Sequence, residues 1–182
     1  MSDSDQGRPL VVVMGISGSG KTTVGQALAG RLGVPYADAD TFHSAAHVAK
    51  MAAGHPLDDA DRAPWLAAIA QWLSAHQLTG AVVSCSALRR RYRDVLRSGA
   101  SGVTFLHLDG NPDVVTERVS RRPGHFMPAS LVGSQLDTLE RLAPDEVGVV
   151  VRLDLPVERI VDTFLDAAHS TPHNTASIPP ST

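Results

Sequence analysis

A run of five apolar residues, Leu10–Met14, is followed at once by Gly15-Ile16-Ser17-Gly18-Ser19-Gly20-Lys21-Thr22. A stretch to Leu32 comes next, with Val24, Ala27, Leu28 and Leu32 at helical spacing and Gly33 at the C-cap position. The β-branched run predicts a strand buried on both faces. The segment after it fits the spacing G-x-x-x-x-G-K-[ST], placed between such a strand and a helix, which is the context that gives this motif its meaning. Glycines there let successive backbone N–H groups curl around a phosphate, and the helix N-terminus adds partial positive charge. Lys21 can reach the β- and γ-phosphates and the Thr22 hydroxyl can ligate Mg²⁺. Gly15, Ser17, Gly18, Ser19, Gly20, Lys21, Thr22 and Thr23 are therefore expected to bind a nucleoside triphosphate.

The rest of the chain repeats this alternation. Short strands are expected at Tyr36–Asp38, Ala81–Cys85, Val103–Leu108 and Val147–Leu153, and helices at His43–Ala53, Arg62–His76, Leu88–Arg97, Asn111–Ser120, Ser130–Leu142 and Pro156–Ala168. Five strands alternating with helices predict an α/β domain: a five-stranded parallel sheet with helices on both faces. It should occupy residues 10–169, after a flexible N-terminus (1–9) and before a disordered Ser/Thr/Pro-rich tail (170–182).

Composition narrows the function. Aromatics are 4% and the net charge is −3, so neither a base-stacking surface nor a basic field for nucleic acid or an anionic membrane is expected. No stretch has the length and apolarity of a membrane span. One cysteine, Cys85, fits a reducing cytoplasm and reads as a small buried hydrophobe. Only two of the 16 basic residues are lysines, Lys21 and Lys50, so lysine is used sparingly. A guanine-reading N-K-x-D is absent, and the strand ending Val82-Val83-Ser84-Cys85-Ser86 carries no carboxylate of the kind a motor ATPase needs. A small kinase is the class left.

Asp38-Ala39-Asp40 follows the second strand, and strand ends of an open α/β sheet face the ligand crevice. A carboxylate there can orient an acceptor hydroxyl and take its proton, or hold Mg²⁺ through water. The blocks Asp38–His43, Lys50–Leu66 and Cys85–Arg97 resemble the gluconate kinase (gluconokinase) family, as does Gly124-His125-Phe126-Met127 continued through Ser134-Gln135 to Leu139-Glu140. With the phosphate loop, the resemblance spans roughly residues 10–165. Ser44 and His47 depart from it, standing where the family usually has Pro and Asn; Pro123 stands where a longer polar residue is usual. The resemblance implies a P-loop kinase fold related to shikimate and adenylate kinases, with a mobile lid at about 121–129. It implies ATP and Mg²⁺ as cofactors, transfer to the 6-hydroxyl of D-gluconate, and a cytoplasmic homodimer.

A site for gluconate needs an Arg fork for the carboxylate and polar groups for five hydroxyls. Arg62, Arg89 and Arg93 are the candidate forks; His43, Ser86, His125 and Gln135 are the candidate hydroxyl partners. Asp40 is expected to orient the acceptor hydroxyl, with Thr22 and Asp38 or Asp40 near the metal. Arg121 and Arg122, in the lid, are expected to neutralise charge on the transferring phosphoryl group, and Arg118 to stack on adenine. Trp65 and Trp72, seven apart, read as core packing. Two alternatives stay open at this point: a kinase for another small hydroxy acid such as shikimate, and a nucleotide-binding regulator without catalysis.

Overall fold

The computed structural model describes residues 8–121 and 129–170, without side-chain detail at 129–131. The expected N-terminal segment, the interior of the lid and the tail therefore lie largely outside the described residues, as do Arg122 and His125. Among the described residues, five strands form one all-parallel sheet in the order β2-β3-β1-β4-β5: β1 (Leu10–Met14), β2 (Tyr36–Asp38), β3 (Ala81–Ser84), β4 (Val103–Asp109) and β5 (Gly148–Arg152). β1 lies at the centre, with Val13 in register with Ser84 on one side and Leu106 on the other.

Period-two alternation sends the side chains of β1 to opposite faces. Val11 and Val13 join the core beneath α1 (Lys21–Leu32), α5 (Pro112–Ser120) and α7 (Val157–Ser170), where Leu28, Val115 and Phe164 are buried. Leu10, Val12 and Met14 join the opposite core, beneath α3 (Asp59–Ala75) and α4 (Arg90–Gly99), with Ile69, Leu73 and Leu96. Burial on both faces explains the unbroken apolar run of β1. Full burial of each such side chain is worth about 1.5–3 kcal/mol.

The helix boundaries follow local chemistry. Gly20 (φ 95°) and Gly33 (φ 64°) cap α1 in the left-handed region. Asn111 caps α5 by accepting from the Asp113 N–H at 2.9 Å, with Pro112 in the first turn as expected. α3 starts a turn earlier than the sequence suggested. Asp58 accepts from the Asp61 N–H (2.8 Å) and Asp61 accepts from the Asp58 N–H (3.0 Å), a capping box built from two aspartates. Pro64 consequently lies inside the helix, not in its first turn. The helix expected at 43–53 is the shorter α2 (Ala45–Ala52), capped by Ser44 and preceded by a 3₁₀ turn at Ala39–Phe42. α6 (Ala129–Thr138) ends before the expected Leu142.

Candidate active site

The carboxyl ends of β1, β2 and β3 open onto a cavity of about 190 Å³ lined by Ser17, Gly18, Gly20, Lys21, Thr22, Asp38, Asp40, Trp65, Ser84, Cys85, Ser86 and Val119. It joins the phosphate loop to the Asp38–Asp40 turn and to Ser86, three parts that are distant in sequence. A second cavity of about 400 Å³ shares Gly18 and Gly20 with the first. Thr23, Arg118 and Arg121 line it, with Leu153, Leu155 and Val157 as its apolar wall. Apolar walls beside guanidinium groups suit a flat, partly polar ring.

Within the phosphate loop, Lys21 opens α1 and its Nζ donates to the Ile16 carbonyl at 2.9 Å. The Gly15 N–H donates to the Ser86 carbonyl at 3.4 Å, which ties the loop to the end of β3. A Cβ on Gly18 (φ 82°) would come within 2.5 Å of Val119 Cγ2, so this position packs the loop directly on α5. Ser19 is buried.

The Thr22 hydroxyl lies 3.3 Å from Asp38 Oδ2. The other Asp38 oxygen accepts from the Asp40 N–H at 2.9 Å, starting the 3₁₀ turn. Asp40 is exposed to the cavity. Tyr36 and Ser84 share a hydroxyl–hydroxyl contact of 2.6 Å beneath the Thr22 side chain, and burial raises the Tyr36 pKa. A threonine hydroxyl beside a carboxylate is a hard oxygen pair of the kind Mg²⁺ prefers. Among the described residues, no three His, Cys, Asp or Glu side chains gather as a metal site. A pair this small fits an ion that takes its remaining ligands from phosphate and water.

The acceptor candidates divide. Ser86 lines the cavity. Gln135, on α6, accepts from the Ser17 N–H at 2.6 Å and donates to the Ser17 hydroxyl at 3.1 Å, so it reaches the phosphate loop itself. The His43 ring stacks on Trp65, 4.6 Å between centroids and 8° from parallel. Burial lowers the His43 pKa, opposed by the Asp40 charge and helped by His47 and Arg62. His43 is therefore a neutral hydrogen-bonding group at pH 7. Arg62 reaches the Tyr92 hydroxyl at 3.4 Å and forms a long ion pair with Asp59 at 3.9 Å. Arg89, the half-buried N-cap residue of α4, helps hold the Asp59 carboxyl below its usual range, after the Tyr92 hydrogen bond and Arg91.

Arg93 is not a substrate fork. It is fully buried, and all of its N–H donors face protein. Nε and Nη2 form a bidentate pair with Glu146 (2.7 and 2.9 Å), while the carbonyls of Ala87, Glu140 and Arg141 accept from the remaining N–H groups. Helical spacing puts Arg93 on the inward face with Tyr92 and Leu96, so its charge had to meet a carboxylate inside the protein. Arg93 also grips Ala87, the one non-glycine residue with positive φ (45°) among those described. The rest of α4 is not a free basic face: Arg90 pairs with Asp145, Arg91 with Asp59 and Arg97 with Asp94.

Arg121, at the C-cap of α5, is exposed and pairs with Glu117 at 2.5 Å, on the side of the second cavity that Arg118 also lines. Cys85 is buried as expected, and burial pushes its thiol up to about 12, so it is no nucleophile at neutral pH. Trp65 packs against the α3/α4 core as read from sequence, and it also lines the first cavity and donates from Nε1 to the Ala39 carbonyl at 2.7 Å. Trp72 keeps a packing role against Phe42 and His76. The D-x-x-D cap before Trp65 was the sequence signal that could have oriented this helix; nothing local marks Ser84 or Val119 as cavity walls.

Comparison with known proteins agrees with this arrangement. A shikimate kinase family model matches residues 17–142. The chain is 51% identical over 138 residues to a gluconokinase of Gluconobacter oxydans (strain 621H), covering 75% of this chain and 78% of that one. It is 38% identical over 169 residues to the thermoresistant gluconokinase of Escherichia coli (strain K12), covering 91% and 97%. The crystal structure of a gluconokinase from Sinorhizobium meliloti 1021 superposes with a TM-score of 0.81 at 43% identity, covering 90% and 94%. The family model spans the Asp38–Leu66 and Cys85–Arg97 blocks, and the chain belongs to the gluconokinase family, kinases of the shikimate kinase type.

Proposed function

We propose that this chain transfers the γ-phosphate of ATP to the 6-hydroxyl of D-gluconate, giving 6-phospho-D-gluconate and ADP. The observation that carries the reading is the single cavity in which Lys21 and Thr22 of the phosphate loop face Asp38, Asp40 and Ser86. Lys21 and the loop amides would hold the phosphates, and the second cavity, with Arg118 and Arg121, would take the adenine end of ATP. Thr22 and Asp38 would hold Mg²⁺, which when bound neutralises charge on the phosphate oxygens. Asp40 orients the acceptor hydroxyl and takes its proton. With Arg93 committed to Glu146, the gluconate carboxylate is left to Arg62 and Arg89, which flank Asp59 and Tyr92 beside the acceptor end. Ser86, His43 and Gln135 would meet hydroxyls. We further propose a cytoplasmic homodimer with one kinase domain per chain, residues 10–169.

Purified protein given ATP and Mg²⁺ should release ADP with D-gluconate and far less with glucose or shikimate. Glucose lacks the carboxylate and would leave an arginine fork unpaired, a costly mismatch in a binding site. Shikimate has the carboxylate on a compact ring, whereas the polar groups here are spread as if along an extended chain. A higher kcat/KM with either of these acceptors would overturn the substrate and leave the kinase.

A further inference from the structure

The family's phosphate loop and acidic turn account for Lys21 and Asp40, but not for what holds the turn in place. The Ala39–Phe42 turn is braced internally by Asp38, which accepts from the Asp40 N–H (2.9 Å), and by the Thr41 hydroxyl, which donates to the Asp38 carbonyl (2.7 Å). Both bonds reach back to Asp38, the last residue of β2, which is in register with Ser84 and 3.3 Å from the Thr22 hydroxyl, so they hold only the start of the turn. A second tie comes from α3: Trp65 Nε1 donates to the Ala39 carbonyl at 2.7 Å, and Ala39 is buried. α3 is itself anchored one residue further on by Leu66, then by Ile69 and Leu73, all buried. The His43 ring, just past the turn, stacks on the same indole. Trp65 and Asp40 line the same cavity.

We propose that Trp65 is a positioning residue for phosphoryl transfer: its indole N–H fixes the backbone at Ala39 and thereby sets where the Asp40 carboxylate stands. This rests on the reading of Asp40 as the group that orients the acceptor hydroxyl. A carboxylate carried on an exposed turn is free to swing by an ångström or more, and misplacement of that size costs a large factor in rate. The indole ties this turn to a rigid core helix, and the shape of the ring, closed off by His43 on one face, leaves the N–H one direction in which to point.

The test is a double-mutant cycle on steady-state kinetics with Trp65→Phe, Asp40→Asn and the pair together. Trp65→Phe should lower kcat at least tenfold while KM for ATP stays within about twofold, because the phosphate loop is untouched. In the Asp40→Asn background the same substitution should change kcat less than about twofold, since the group being positioned can no longer act. Losses that simply multiply would overturn the inference, because Trp65 would then act independently of Asp40. If Trp65→Phe does not fold, 3-benzothienylalanine at position 65 keeps the ring size and removes only the N–H. The same loss and the same coupling are expected of it, and wild-type turnover would overturn the inference. Wild-type turnover in Asp40→Asn alone would instead bring down the role of Asp40, and with it this inference, a result distinguishable from failure at Trp65.

Discussion

Lys21 places an ammonium at the positive end of α1, where the helix dipole disfavours a cation by about 0.3–1 kcal/mol. Bonding to the Ile16 carbonyl offsets part of this, and a phosphate between ammonium and helix end would reverse it. Lys21→Ala should therefore abolish ADP production with gluconate while leaving the far-UV circular dichroism unchanged; near-normal turnover in the folded variant would refute the phosphate-loop role. Asp40→Asn keeps the shape of an exposed side chain but cannot accept a proton. Its kcat should drop by about 10²–10⁴-fold with little change in ATP affinity, and recovery at high Mg²⁺ would make it a metal-shell residue instead. Arg93 behaves differently because it lies in the core. Arg93→Met leaves the buried Glu146 carboxylate without its bidentate partner, with only Arg97 at 3.7 Å, and should cost about 3–5 kcal/mol, seen as a large fall in the urea midpoint. An unchanged midpoint would show that water replaces the guanidinium.

At the scale of elements, the site is a set of termini held in register. The phosphate loop is clamped between β1 and α1, and Gly18 lets it lie on Val119 of α5. Gly18→Ala adds a Cβ where φ is 82° and where Val119 is already at 2.5 Å, so the loop and α5 must separate. We expect ATP affinity measured by calorimetry to fall at least tenfold; unchanged affinity would mean that α5 yields freely. α3 depends on its aspartate capping box. Asp58→Ala removes the side-chain acceptor of the Asp61 N–H and should destabilise by about 1 kcal/mol, which for a domain of this size lowers Tm by about 2–4 °C. Because Asp61 also pairs with Lys50 at 2.5 Å, the loss should extend to the junction between α2 and α3. Hydrogen exchange at the start of α3 should rise in that variant, and no change there would show that the box is redundant.

For the whole molecule, the two cores on either face of the sheet make the fold, and buried titratable groups give it a pH dependence. Burial lowers the pKa of His107, in β4, and of His43, stacked on Trp65. Asp109 opposes the shift at His107, while Arg141 and Arg93 add to it. The unfolded chain takes up these protons near the ordinary histidine pKa of about 6.5, whereas the native state resists them until lower pH. The stability from keeping both rings neutral is thus present above about pH 6.5 and is lost as pH falls through that value toward the lowered native pKa values. Calorimetric Tm should decline between pH 7 and 5, and His107→Asn should flatten part of that decline; an identical slope in the variant would exclude His107 as a contributor. Asp145, held down to about 2 chiefly by its Arg90 hydrogen bond, acts in the same sense at more acidic pH.

Features set by neighbours along the chain were legible in the sequence. The β1–loop–α1 unit, Asn111-Pro112 at the start of α5 and the alternation of strands and helices all follow from backbone geometry and residue spacing over a few positions. The class of acceptor was legible through resemblance in blocks that are themselves local. What the tertiary structure decided was pairing at long range. Arg93 looked like a ligand fork because its partner Glu146 lies 53 residues away, and no local pattern announces that the two will be buried together. Gln135 of α6 meets Ser17 across 118 residues, and Trp65 meets Ala39 across 26, pairings set by how the helices pack on the sheet. A charged or aromatic side chain has the same sequence signature whether it faces substrate or core. Only the packing around it, which excludes water from Arg93 and leaves Asp40 exposed, determines which of the two it does.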